Sequence, residues 1–336
     1  MRSRWLLGAR EQLRRTSIAR IFLMLVGAWG LVALYVVQPM WPSASPNSPI
    51  EVSPDRLRSD VEALVALSPR DTHSTGNARV AEHIERAFRD AGLEPERQPF
   101  SDGDDELSGT NIVAHVGPAD GPRVVVGAHY DACGPHPGAD DNASGVAALL
   151  ELARLLAKAP PASRVDLVAY ANEEPPHFGT TAMGSAHHAA QLADSGVAVT
   201  AMISLEMVGY FTDAPDSQSF PVGALELLYP TTGNFIAIIG RVGDATLVRR
   251  IKGAMRATSP LRVESINAPS SIPGVDYSDH RSYWELDMPA IMVTDTAFYR
   301  NANYHQKTDT PDTLDYPRMA EVVRGVHAAI VELARR

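Results

Sequence analysis

Only one cysteine, Cys133, occurs in the 336 residues. That excludes an intrachain disulfide and any thiolate-rich metal site, so a bound metal would have to be held by nitrogen and oxygen. Basic charge is missing from the main body of the chain. Residues 1–20 carry six arginines against Glu11, a net charge of +5, while the whole chain sums to −10. The remainder is strongly acidic, which argues against nucleic acid as a partner, because phosphate binding needs clustered Lys and Arg. Internal repeats are absent. Ser185 lacks the strand–turn–helix context of a serine nucleophile, which argues against a serine hydrolase.

What is present begins with a single long apolar run. Ile21–Gln38 (IFLMLVGAWGLVALYVVQ) is polar only at its last residue and is long enough, at the short end of the range, to cross a bilayer as a helix. With arginines 1–20 before it, the expected order is a cytoplasmic basic tail, a transmembrane signal anchor over residues 21–38, and an exported body. A cleaved signal peptide is the rival reading. The run exceeds most signal-peptide apolar regions, and Ser43-Ala44-Ser45 is followed by Pro46, a poor cleavage context. Residues 39–55 are rich in Pro and Ser and read as an extended tether. Residues 56–336 form the body, whose size allows one large domain or two ordinary ones. The 45% hydrophobic and 21% charged composition fits a globular core.

The body alternates helical and strand patterns. Helices are expected at Asp55–Leu67, Asn77–Ala91, Ser144–Lys158, Thr181–Asp194, Asp244–Thr258 and Pro317–Ala334. Strands are expected at Asn111–Val116, Arg123–Ala128, Arg164–Ala169, Val199–Leu205, Phe235–Ile239 and Ala290–Thr294. This alternation predicts an α/β three-layer sandwich around a mostly parallel central sheet. Ligands in such sheets gather at the carboxyl ends of the strands.

Five residues of the types that bind zinc lie at or just beyond strand ends: His129, Asp141, Glu174, Glu206 and His305. His129 and Asp131 share one side of a strand end, so one can ligate while the other holds the second imidazole nitrogen. Asp140-Asp141-Asn142 precedes a helix, where capping alone would account for it, though capping and metal bridging are compatible. Glu173-Glu174 follows a strand, and there one carboxylate can ligate while the other acts on a water. Glu206 ends an apolar strand, where burial without a cation would be costly. Alone, each motif has an ordinary reading as a cap, a solvated pair or a surface histidine. His187 and His188 read as surface residues of a helix. His280 has no assigned role, and Cys133, near His129, either contacts the site or, the preferred reading, is a small loop residue.

Taken in order, VVVGAHYD, PGADDNASGVAALLELA, YANEE, SLEMVGY, SDHRSYWE and NYHQKTDTPDTLDY resemble the co-catalytic di-zinc aminopeptidase family, over most of residues 56–336. Its relatives include glutamate carboxypeptidase, glutaminyl cyclase and the transferrin receptor ectodomain. The resemblance implies a zinc-exopeptidase fold with two zinc ions per chain. It gives His129 and Glu206 to one ion, Glu174 and His305 to the other, and Asp141 to both. It makes Asp131 the orienter of His129 and Glu173 the general base and acid. Glu206 stands where many members have Asp.

The resulting expectation is a membrane-anchored exopeptidase acting on peptide or protein N-termini, with its domain on the periplasmic or extracellular side. The alternatives are a single-zinc glutaminyl-cyclase-like acyltransferase, a zinc carboxypeptidase with Arg300 as its one candidate grip, and an inert receptor-like domain. Oligomeric state is left open. The stretch Val208–Gly233 is expected to cover the pocket and set specificity, to pack as a structural excursion, or to form a subunit contact.

Overall fold

A computed structural model describes residues 20, 23–27, 29–40, 50–72, 74–101 and 108–335. Eight strands form one sheet: β1 (Glu96–Phe100), β2 (Gly109–Val116), β3 (Arg123–His129), β4 (Arg164–Tyr170), β5 (Val199–Glu206), β6 (Phe235–Gly240), β7 (Arg262–Asn267) and β8 (Ala290–Thr294). Their order is β1-β2-β4-β3-β5-β8-β6-β7. The central strands β4, β3, β5 and β8 are mutually parallel, whereas β2 and β6 flank them antiparallel. The central runs RVVVGAH, RVDLVAY and AIMVT are buried almost throughout. Such continuous apolar strands belong in a sheet covered on both faces.

Helices supply that cover. On one face, α1 (Pro54–Val65), α2 (Thr75–Asp90), α3 (Gly145–Lys158), α5 (Ala245–Thr258) and α7 (Tyr316–Leu333) pack into the larger core. On the other, α4 (Gly184–Asp194) and α6 (His280–Glu285) cover Val113, Val125, Val168 and Met202. The predicted three-layer sandwich is therefore observed. All six predicted helices and all six predicted strands are present, with boundaries shifted by a few residues. The start of α2 moves forward because the Ser74 hydroxyl accepts from the Asn77 amide, fixing the N-terminus.

Register places the site. His129 lies opposite Tyr170, and Glu206 opposite Thr294, so β3, β4 and β5 end at one edge of the sheet. Away from that edge, the buried Asp166 on β4 meets His115 Nδ1 at 2.7 Å, Arg123 Nη1 at 2.8 Å and Arg164 Nε at 3.0 Å. Burial opposes its ionisation, but these three partners hold its carboxyl well below the usual carboxylate range.

Residues 23–27 and 29–37 are helical. Among the described residues, no helix is long and apolar enough to cross a membrane. Ile21, Phe22 and Ala28 of the expected anchor, and the arginines before residue 20, lie outside the described residues. The end of the segment is docked on the body. Tyr35 Oη donates to the Val242 carbonyl, Gln38 Nε2 to Ala245, and the buried Lys252 ammonium to the Val37 carbonyl at 3.0 Å.

Candidate metal centre

The loop after β3 carries Asp131, and its carboxylate accepts from the Glu173 and Glu174 amides at 3.1 and 3.0 Å. The exits of β3 and β4 are thereby tied together, and the two glutamates are aimed by their own main chain. Asp131 Oδ1 also lies 3.5 Å from His129 Nδ1, on the side away from the cluster, where an orienting carboxylate belongs.

Asp141 sits in an irregular turn before α3, and the Asp141–Asn142 peptide is cis. Asp309 accepts from the Asp140 and Asp141 amides at 2.9 and 3.1 Å. The Asn142 side chain donates to the Leu205 carbonyl and accepts from the Met207 amide, binding this turn to the end of β5. Gly145 follows because a Cβ there would lie 2.4 Å from Asn142 Oδ1 and 2.5 Å from the Leu205 carbonyl. Arg70, fully buried, donates to the carbonyls of Tyr130, Gly138 and Asp141. A permanent cation thus braces the turn from behind.

These devices converge five side chains. His129 Nε2 lies 3.3 Å from Glu206 Oε2 and 3.4 Å from Asp141 Oδ1. His305 Nε2 lies 3.1 Å from both Asp141 Oδ2 and Glu174 Oε2. Asp141 therefore turns one oxygen toward each histidine. Glu173 Oε2 stands 3.8 Å from His129 Nε2.

The donor set fits zinc. Both ring nitrogens of His129, Nε2 of His305 and Oε1 of Glu174 are buried without a hydrogen-bond partner, a costly arrangement unless something else satisfies them. Donors on a tetrahedral zinc, with bonds of about 2.0–2.1 Å, stand about 3.3 Å apart. The observed spacings match that value while lacking hydrogen-bond geometry. Among the described residues, the atoms of His129, Asp141 and Glu206 that could ligate a metal all lie within 4.8 Å of one another.

Without a cation the cluster must neutralise itself. Burial disfavours the His305 cation, but Asp141 and Glu174 outweigh it and raise the imidazole to about 10. His129 is raised in the same way against burial by Glu206 and Glu173. The adjacent aspartates move in opposite directions. Burial would raise Asp141, yet His129 and His305 hold it well below the usual range. Asp140 is pushed well above that range by burial and by Asp295. Asp141 is thus the ionised member, and Asp140 accepts from the Gly209 amide and Asn301 Nδ2 instead. Burial raises Glu174 to about 7, and for Glu173 burial together with Glu206 and Glu174 exceeds the pull of His129.

All seven predicted site residues meet here. Residues 111–330 match the model of peptidase family M28. The chain belongs to that family. Along 88% of its length it is 47% identical to the uncharacterized protein YfbL of Escherichia coli (strain K12), covering 93% of that protein. Leucine aminopeptidase 1 of Coccidioides posadasii (strain C735) is 24% identical over 84% of the chain and 72% of its own length. In fold, the chain resembles the zinc aminopeptidase BSAP of Bacillus subtilis, with a TM-score of 0.67 at 15% identity, over 85% of this chain and 96% of that one. The M28 chain described here is accordingly a zinc metallopeptidase.

The structure also corrects three sequence readings. His188 is not a surface residue: it is buried, with Nδ1 2.6 Å from the Tyr283 hydroxyl. Arg300, weighed as a carboxylate grip, is buried and donates from Nε to Gln218 Oε1 and from Nη1 to the Phe235 carbonyl, which ties it to the fold. Cys133 is not a mere loop residue, because its sulfur lies among the donors around Glu174 and His305. Sequence reasoning missed Asp309, Arg70 and Ser278, whose hydroxyl donates to Glu206 Oε2 at 2.8 Å. Ser278 and Asp309 carried a signal, as members of the quoted SDHRSYWE and NYHQKTDTPDTLDY motifs, though neither had an assigned role.

An apolar cleft opens beside Glu206 and Tyr304. Phe220, Tyr229, Ile272 and Phe298 line it, and Gln218–Tyr229 of the 208–233 stretch form one wall.

Proposed function

We propose that the chain is a di-zinc aminopeptidase that removes the first residue of peptides. The observation that carries this reading is the two-sided placement of Asp141, with one oxygen facing each histidine. His129, Glu206 and Asp141 would hold one zinc, and Glu174, His305 and Asp141 the other. Bound there, zinc supplies Lewis acidity toward a carbonyl oxygen and lowers the pKa of water toward about 7.

The chain's own residues do the rest. Glu173 takes a proton from the attacking water and later delivers it to the leaving amine. Asp131 holds His129 and, through the amides of residues 173 and 174, fixes where that proton is exchanged. The cleft beside Glu206 is lined mainly by apolar side chains. Selection therefore comes from polarity, and Leu or Phe at the first position should be preferred over Asp.

Membrane anchoring belongs to the same reading. From Leu23 to Tyr35, large apolar side chains stand exposed, which in water would be a liability. The upstream arginines favour a cytoplasmic N-terminus and a periplasmic or extracellular peptidase domain.

A purified chain should bind about two zinc ions and hydrolyse N-terminally free peptides but not acetylated ones. Chelator should abolish the activity and added zinc restore it. Cyclisation of N-terminal glutamine with release of ammonia, without peptide hydrolysis, would instead favour the cyclase reading. A glutaminyl cyclase of Fimbriiglobus ruber shares the fold with a TM-score of 0.62. Protease added to cells whose outer envelope has been opened and whose inner membrane is intact should digest the body while sparing the N-terminal tail; full protection would defeat the exported orientation.

A further inference from the structure

We propose that Cys133 supplies a sulfur ligand to the metal ion held by Glu174 and His305. The inference rests on the di-zinc reading and extends it. The sulfur of Cys133, a carboxylate oxygen of Glu174 and a ring nitrogen of His305 lie within 4.8 Å of one another. Glu174 Oε1, on a side chain only 6% exposed, has no hydrogen-bond partner, and neither has His305 Nε2. Both residues that the thiol neighbours therefore carry a buried donor atom still lacking a partner. Sulfur and nitrogen on one tetrahedral zinc stand about 3.6 Å apart, given bonds of about 2.3 and 2.0 Å. Rotation of the short Cys133 side chain, in the loop that ends β3, is the adjustment required.

The consequence is a division of labour between the two ions. His305, Glu174, Asp141 and Cys133 together make four protein donors, a closed set of the kind found in structural sites. His129, Asp141 and Glu206 make three, leaving a position for water next to Glu173. On this assignment, the ion at His129 does the chemistry and the ion at His305 holds Asp141 in place. Coordination releases the thiol proton to solvent and forms a metal–thiolate bond, with no change of oxidation state. The sulfur donor also biases that site toward soft cations such as Zn²⁺ or Cd²⁺ over Mn²⁺ or Mg²⁺.

Cys133 is the sole cysteine, so every sulfur signal belongs to it. The metal-free chain loaded with two equivalents of Co²⁺ should show a sulfur-to-cobalt charge-transfer band in the near ultraviolet. Cys133→Ser should lack that band, retain the visible d–d bands, and bind one of its two zinc ions at least roughly tenfold more weakly. In the unmodified chain, iodoacetamide should label Cys133 without metal and fail to do so with two equivalents of zinc. A charge-transfer band absent from the unmodified chain, together with equal labelling with and without zinc, would overturn sulfur ligation while leaving the metallopeptidase intact. Absence of all cobalt bands would instead overturn the metal centre itself. The labelling experiment needs no variant, so misfolding of Cys133→Ser cannot mask the outcome.

Discussion

Glu173 and Glu174 are neighbours in sequence, yet their carboxyls have different tasks. Glu174 Oε2 faces His305 at 3.1 Å, whereas Glu173 stands off His129 at 3.8 Å. Glu173→Gln should therefore keep its zinc, measured by elemental analysis, while turnover falls on the order of 10²–10⁴-fold. Wild-type-like turnover would remove Glu173 from the proton pathway. The ligands themselves make the metal-free chain sensitive to pH. His305 is raised to about 10 and Glu174 to about 7, against unfolded values of about 6.5 and 4.3. A raised folded pKa contributes stability that is complete below the unfolded value and lost as pH rises through the folded one. Chelated protein should accordingly lose melting temperature between about pH 4.3 and 7 through Glu174, and between about pH 6.5 and 10 through His305. Zinc-loaded protein should lack that slope, because the ion has displaced both protons. Parallel melting curves for the two forms across this range would contradict the assignment.

Among the elements, the central strands were legible in the sequence because burial on both faces demands uninterrupted apolar runs such as RVVVGA and AIMVT. The site was legible for a related reason: a charged group directly after such a run, as at His129, Glu173 and Glu206, is conspicuous. The edges were not. β1 (ERQPF) is half-exposed and contains Pro99, and β7 (RVESIN) alternates too briefly to stand out; edge strands tolerate polar residues and proline that interior strands reject. Partners brought in from far along the chain were equally hidden. Asp309 reaches Asp140 across 169 positions, and no local pattern marks such a pairing. Asp166 belongs to this class, tying β2, β3 and β4 together. Asp166→Ala should destabilise the fold by about 1–3 kcal/mol, since it takes a shared hydrogen-bond acceptor from three half-buried side chains, while zinc content stays at the wild-type value. Chemical denaturation with metal analysis checks both halves, and an unchanged midpoint would show the cluster to be dispensable.

On the scale of the whole molecule, the N-terminal segment and the peptidase body meet at residues 35–38. Lys252, 1% exposed, donates to the Val37 carbonyl and to Ser265 Oγ, and Asn267 Nδ2 donates to the Tyr35 carbonyl. Chains beginning at residue 35 and at residue 39 should both be soluble and active. The shorter one should be less stable by about 1–3 kcal/mol, because it removes a hydrogen-bond acceptor from a buried ammonium. Identical denaturation midpoints would mean that this contact contributes nothing.

The location of that joint also sets which way the enzyme looks. Val242 and Ala245 follow β6, whose last residue Gly240 pairs with Ile291 near the start of β8, whereas the proposed zinc ligands cluster where β3, β4 and β5 finish. Tyr35 and Gln38 therefore dock at the edge of the sheet opposite the cluster of histidines and carboxylates. Were residues 21–38 to anchor the chain as proposed, that cluster would face away from the bilayer, toward peptides in solution.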